Sequence, residues 1–217
     1  MEERVAIEHH PEFTVATLDE TKVVCGIVAQ VAEPRPEQPQ HGYIDVQFRY
    51  TAMCSGRDPL TDKLHSKAMS ELLVSILAIK QGSERHFIDT EQLCIEKGKA
   101  CWALFITLDC LNDNGNGFDC GVAALFSHLG GYSLPQAVLG DGGVHVDASV
   151  QRKIVLRHTA SAHTQALPQR ETRPWRVEDD LFSSRVVVVR DCFRNIVYLS
   201  RSGAPTAKIG LAQHIRV

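Results

Sequence analysis

The chain has 217 residues, 44% of them hydrophobic, enough to build a sizeable core without disulfides or metals. No apolar run is long enough to cross a bilayer and no secretory leader pattern is found, so the sequence predicts a soluble protein without a membrane partner. Its formal net charge of −3 hides an asymmetry: residues 1–150 carry 11 Lys/Arg against 21 Asp/Glu, and residues 151–217 carry 12 against 5.

Three segments rich in β-branched and aromatic residues, Phe13–Leu18, Lys22–Val31 and Tyr43–Thr51, predict strands. The polar, proline-stiffened stretch Glu33–Gly42 joins the last two. A helix is predicted from about Leu64 to Lys80, with Leu64, Ala68, Met69, Leu72, Leu73, Ile76 and Leu77 as its apolar stripe. Ser66, Lys67, Ser70, Glu71 and Ser75 lie opposite, and Gly82 ends it. A short strand follows at Leu93–Glu96, then a turn flanked by Lys97 and Lys99.

From Ala100 to Leu111 nearly every residue is apolar. Trp102, Leu104, Ile106 and Leu108 share one face, and Ala103, Phe105 and Thr107 the other, so a fully buried central strand is predicted. Asn114-Gly115-Asn116-Gly117 supplies residues that tolerate positive φ in a tight turn. A helix rich in small residues, suited to lie close on a sheet, follows over about 118–130, with Asp119 placed to cap its first turn. A glycine-rich turn opening a helix can cradle phosphate, but with no Lys or Arg beside it this one reads more simply as a strand-to-helix connection. Lys153–Leu156 is a further short strand, and a polar connection runs on to Glu178. A hairpin of Arg185–Arg190 and Ile196–Ser200 comes next, then a break at Ser202–Pro205 and a short terminal helix. Strands on both sides of each helix predict an α/β or α+β sandwich with mixed or antiparallel sheets.

Seven cysteines (25, 54, 94, 101, 110, 120 and 192) are odd in number, lack CxxC or Cys/His spacing, and mostly sit in apolar runs. They read as reduced, buried thiols of a cytosolic or nuclear protein. The ten histidines form no HExxH pair, with His158 and His163 in a polar stretch, and no serine has a nucleophile-elbow context. No metal or cofactor is implied. The basic last third, with Arg152, Lys153, Arg157, Arg170, Arg173, Arg176, Arg185, Arg190, Arg194 and Arg201, suits an RNA-facing surface, a dock for an acidic neighbour, or a plain solvated face.

Several motifs together carry a resemblance. Thr21-Lys22-Val23-Val24-Cys25-Gly26, Val31-Ala32-Glu33-Pro34-Arg35-Pro36, Gly42-Tyr43-Ile44, Cys54-Ser55-Gly56-Arg57, the segment Leu93–Asp119 and Ser200-Arg201-Ser202-Gly203 follow one another in order. Over about Val15 to Lys208 the chain resembles the RNase PH-like ring subunits of the eukaryotic RNA exosome, of the non-catalytic class. The resemblance implies an RNase PH-type fold, ribosomal protein S5 domain 2-like, as a single domain over residues 1–217. It also implies a few dozen residues ahead of the first matched strand in family members.

For chemistry the resemblance implies a loss. Active relatives bind inorganic phosphate with arginines and assist its attack on the RNA 3′ end with two acidic residues six apart. Here one arginine position falls on Phe118. The helix over 64–80 lacks the arginine cluster and offers Lys80. Of the acidic pair Asp179 is present, while the second position falls on Arg185. Phosphoryl transfer depends on charge neutralisation, so such losses are severe. The expected role is therefore a structural and RNA-guiding subunit of a hetero-hexameric ring of RNase PH-like exosome subunits, beneath S1/KH cap subunits. It would serve ribosomal RNA processing and RNA degradation in nucleus (nucleolus) and cytoplasm. A phosphorolytic 3′–5′ exoribonuclease is the alternative. Single-stranded RNA is the expected ligand, with Arg57, Lys97 and Lys99 as candidate contacts, each of which also suits an ordinary solvated surface.

Overall fold

Hydrophobic alternation along the first fifty residues lays down a meander of antiparallel strands. In the computed structural model, which describes residues 5–54, 59–77, 87–166 and 185–202, these are β1 (Ala6–His9), β2 (Phe13–Leu18) and β3 (Thr21–Ala32). β4 (Tyr43–Tyr50) leads to α1 (Pro59–Leu77). A short 3-10 turn over Thr90–Leu93 precedes β5 (Cys94–Glu96) and the long β6 (Ala100–Asn112). α2 (Gly117–Gly131) is followed by a hairpin of β7 (Ser133–Gly140) and β8 (Gly143–Lys153), then β9 (Ala160–Ala166), β10 (Arg185–Asp191) and β11 (Ile196–Ser202).

β6 is the spine of the main sheet, whose order is β1-β2-β3-β6-β4 with β5 on the first residues of β6. It runs antiparallel to β3 and parallel to β4, so α1 is the crossover that a parallel pair requires. α1 packs over β4, and α2 lies across β2, β3 and β6 while also meeting β9. Eleven of the α2 residues, from Gly117 to Leu129, are buried on nearly every side of the helix, as a helix covered by two layers must be. The second layer is the sheet β11-β10-β9. Gly121 is what lets α2 approach, since a Cβ there would sit 3.1 Å from the Phe48 ring.

Several expectations need correction. The central strand is buried on both faces only over its first residues, where Cys101 and Ala103 are as covered as Trp102 and Leu104. Leu104, Ile106, Leu108 and Cys110 are sealed under the helices, whereas Phe105 on the outer face is 41% exposed and its neighbour across the sheet, Val28, is 58% exposed. Both helices lie on the same side, so Phe105 and Val28 have no helix above them among the described residues. Leu64 and Ala68 of the α1 stripe are exposed. The side that packs instead includes Ser70, whose hydroxyl accepts from the Phe48 amide at 2.8 Å and donates to the Ser66 carbonyl. Lys153–Leu156 is the end of β8 and an isolated bridge from Leu156 to Ile88, and the polar connection contains β9. Gly82 and the terminal helix lie outside the described residues.

Two local devices fix the packing. Gly42 passes so close to Leu93 and the Trp102 carbonyl that an added Cβ would overlap both. A polar chain ties β1 and β2 to α2: Thr14 Oγ1 lies 2.9 Å from His128 Nδ1 and 3.2 Å from His9 Nδ1, and His9 Nε2 lies 3.3 Å from Ser127 Oγ. His128 Nε2 is buried without a hydrogen-bond partner among the described residues. Burial, and secondarily the nearby His9, pushes the His128 pKa below its ordinary value, so the ring stays neutral when folded.

Gly42→Ala should therefore destabilise the protein by about 1–3 kcal/mol, the usual cost of overpacking, read from denaturant unfolding. His128 takes up a proton more readily unfolded than folded. The stability it contributes is thus complete above 6.5 and lost as the pH falls below that value. Thermal melts between pH 7.5 and 5 should show the midpoint falling, and His128→Gln should flatten that dependence.

Candidate functional site

The chemistry expected of this chain centres on the turn between β6 and α2, and its geometry starts from Thr21. That side chain, buried at the start of β3, donates to the Gly115 carbonyl at 2.5 Å and accepts from the Asn114 amide at 3.0 Å. Asn114 Nδ2 reaches Glu20 Oε2, and Asn112 Nδ2 reaches the Glu20 carbonyl. The turn is thereby stitched to the β2–β3 hairpin. Gly115 and Asn116 adopt φ of 91° and 58°, the left-handed region that the Asn/Gly run predicts.

The anion-attracting start of α2 faces a carboxylate of its own chain. Asp113 Oδ1 accepts from the Gly115 amide at 3.0 Å, an Asx turn, and lies 3.2 Å from where a Cβ of Gly117 would be. Negative charge at the helix N-terminus satisfies the local dipole and opposes a second anion there. Asn116, the N-cap residue, makes no side-chain capping bond.

Phe118, one residue into the helix, is only 5% exposed and belongs to the main core cluster. Asp119 does not cap the first turn, contrary to expectation. Its carboxylate turns to the second sheet, accepting from the Thr164 amide at 2.6 Å and the Thr164 hydroxyl at 2.7 Å. Helix geometry explains the difference: Asp119 sits on the side of α2 that meets β9, and the Thr164 amide and hydroxyl on β9 both reach its oxygens.

Arg185 begins β10, its backbone paired with Ala166 of β9, two residues along from the Val187–Thr164 pair. Backbone pairing thus brings the Arg185 position onto the sheet that Asp119 anchors. Asp179, Arg57 and Lys80 lie outside the described residues. Cys54, the last described residue of the connection that leads to Arg57, donates its thiol to the Cys110 carbonyl at 3.0 Å, at the Phe118 end of β6. Lys97 and Lys99 are exposed in the turn at the opposite end, where Gly98, at φ 72°, donates to the Pro39 carbonyl. The thirteen residues of β6 separate the two ends, about 40 Å at strand rise.

Within the basic last third, Arg157 and Arg152 are among the described arginines that are engaged internally. Arg157 pairs with Asp89 at 2.8 Å and Arg152 donates to the Gln92 carbonyl, fastening the end of β8 and its sequel to the 3-10 turn. The residues that sequence reasoning missed are Thr21, Asp113 and Thr164. Only Asp113 had a local signal, an Asp two residues before a turn glycine.

Comparison with known proteins agrees with this architecture. The family model described as RNase PH, 3′ exoribonuclease family, domain 1, matches residues 13–129. Exosome complex component rrp43 of Schizosaccharomyces pombe is 28% identical over 199 residues, spanning 85% of this chain and 68% of the relative. Exosome complex component Rrp42 of Methanothermobacter thermautotrophicus is 27% identical over 174 residues, spanning 79% of this chain and 62% of the relative. Among solved structures, an Archaeoglobus fulgidus exosome with RNA bound to the active site superposes with a TM-score of 0.75 at 21% identity, over 98% of this chain and 82% of that one. Rice Rrp46 superposes at 0.56 with 14% identity, over 94% of this chain and 82% of that one. The family match covers the main sheet from β2 through α2, turn and helix included, and on that ground the chain belongs to the 3′ exoribonuclease (RNase PH) family.

Proposed function

We propose that this chain is a non-catalytic structural and RNA-guiding subunit of an exosome-type hexameric ring. Its partners would be other RNase PH-like subunits, S1/KH cap subunits and single-stranded RNA. It would support 3′–5′ RNA processing and degradation, ribosomal RNA included, in nucleus, nucleolus and cytoplasm. Relatives named as exosome components support the ring assignment.

One observation carries the non-catalytic part. At the start of α2, where active relatives are expected to present an arginine to phosphate, Phe118 is folded into the core and the Asp113 carboxylate lies against the turn. Inorganic phosphate is anionic, and placing it beside a fixed carboxylate is electrostatically unfavourable. Arg185, standing where a carboxylate is expected, removes the group that would handle a proton or metal at the leaving oxygen. The exposed outer face around Phe105 and Val28 fits a protein that completes itself in an assembly. The isolated chain accordingly dimerises or aggregates.

The purified chain given single-stranded RNA should release no nucleoside diphosphates with or without phosphate. Robust phosphate-dependent shortening would promote the phosphorolytic exoribonuclease reading instead. Phe118→Arg should not create activity, alone or with Arg185→Asp. It should also cost several kcal/mol in stability, because a guanidinium replaces a buried ring.

RNA affinity of the assembled ring should be electrostatic. Arg57→Glu should weaken it and lower the salt slope by about 1. The Lys97→Glu/Lys99→Glu pair, exposed in the turn before β6, should weaken it in the same way. Fluorescence anisotropy across a salt series reads both, and salt-independent, base-specific binding would contradict the proposal.

A further inference from the structure

The turn that follows β4 lays the Cys54 thiol against the backbone of Cys110. Thr51 donates its amide at 3.0 Å and its hydroxyl at 2.9 Å to the Cys110 carbonyl, and the Cys54 thiol donates to that same oxygen at 3.0 Å. The Cys54 amide bonds back to the Thr51 carbonyl at 3.0 Å, closing the turn so that its side chain has little freedom. Cys54 is half-buried and reachable from solvent, while Cys110 has no exposed surface. The Cys110 thiol points toward the Asn112 carbonyl at 3.4 Å.

We propose that Cys54 and Cys110 are an oxidisable thiol pair, with Cys54 as the site that meets a small disulfide oxidant and Cys110 as the residue that resolves it. The Cys54 thiolate attacks one sulfur of oxidised glutathione, expelling one glutathione thiolate and forming a mixed disulfide. The Cys110 sulfur then attacks the Cys54 sulfur, expelling the second glutathione. The two protein thiols lose two electrons and two protons, and the glutathione disulfide takes them up as two thiols. Because the partners lie on the β4–α1 connection and on β6, the product staples that connection to the spine of the sheet.

The neighbourhood sets the character of the reaction. Burial, reinforced by the adjacent Cys54, pushes the Cys110 thiol far above the ordinary cysteine range. Only its thiolate attacks, so the resolving step is slow at neutral pH and quickens as the pH rises. Cys120 lies near Cys110, but its thiol is turned to the Ala16 carbonyl at 3.2 Å and it is fully buried. Cys94 and Cys101 are facing residues of β5 and β6, so a linkage between them is the competing outcome.

The full-length reduced chain is incubated with oxidised glutathione under native conditions, quenched in acid and analysed by intact mass and non-reducing peptide mapping. The expected result is loss of two hydrogens with a Cys54–Cys110 linkage, reversed by dithiothreitol and forming roughly tenfold faster per unit rise in pH while Cys110 remains protonated. Cys110→Ala should trap glutathione on Cys54, and Cys54→Ser should abolish the linkage. A glutathione adduct on Cys54 of the unmutated chain that does not convert to the linkage as the pH is raised would overturn the proposal. So would an absence of reaction at Cys54, or a linkage at Cys94–Cys101 or Cys110–Cys120 instead.

Discussion

The two layers of this protein are joined through a buried carboxylate. Asp119 is 8% exposed, and Thr164 satisfies both of its oxygens from the neighbouring sheet. A carboxylate sealed away from water is costly unless fully hydrogen-bonded, which makes the contact directional as well as adhesive. Apolar contacts such as Ala162 and Val189 can slide; two bonds to one threonine cannot. The position of β9, and through it β10 and β11, follows from where α2 presents that side chain. α2 in turn is positioned by the turn that Thr21 stitches to the β2–β3 hairpin.

The same chain of constraints decides what the start of α2 is free to do. Three side chains there have structural occupations. Asp113 folds onto the turn, Asp119 reaches the second sheet, and Phe118 fills the core. A helix start can hold an anion when its amides face open space with a cation nearby. Here the side chains that might have supplied an open cradle are spent on holding the fold together. A degenerate site of this kind retains the backbone of its family while its side chains serve architecture.

How far the sequence foretold this depends on where each element's partners lie. The strands over Phe13–Leu18 and Ala100–Asn112 were legible because their apolar residues face a core that local periodicity reflects. β8 was missed because almost all of it is solvated, leaving only the alternation of Val144, Val146, Ala148 and Val150 as a sign. β9 has one buried residue among those described, Ala162, and is specified chiefly by the valines of β10 across from it. At the site, the positive-φ turn was legible from Asn and Gly alone. The partner of Asp119 was not, since Thr164 lies 45 residues away and a carboxylate at a helix start looks locally like a cap. The outer face of β6 misled in an instructive way. Its composition reports burial, which holds at Cys101 and Ala103 but not at Phe105 among the described residues.

The strand order has a consequence for how the chain is born. β6 lies between β3 and β4, although residues 51–99 separate it from β4 in the chain. On a ribosome adding about 5–20 residues per second, β3 and β4 wait on the order of several seconds for the strand that belongs between them. During that interval each carries an unsatisfied row of amides and carbonyls and the apolar residues destined for the core. The polar, proline-rich loop Glu33–Gly42 between them disfavours their premature pairing as a simple hairpin. Nascent-chain protection is thus needed most between the emergence of Tyr50 and that of Asn112, well before any partner subunit is relevant.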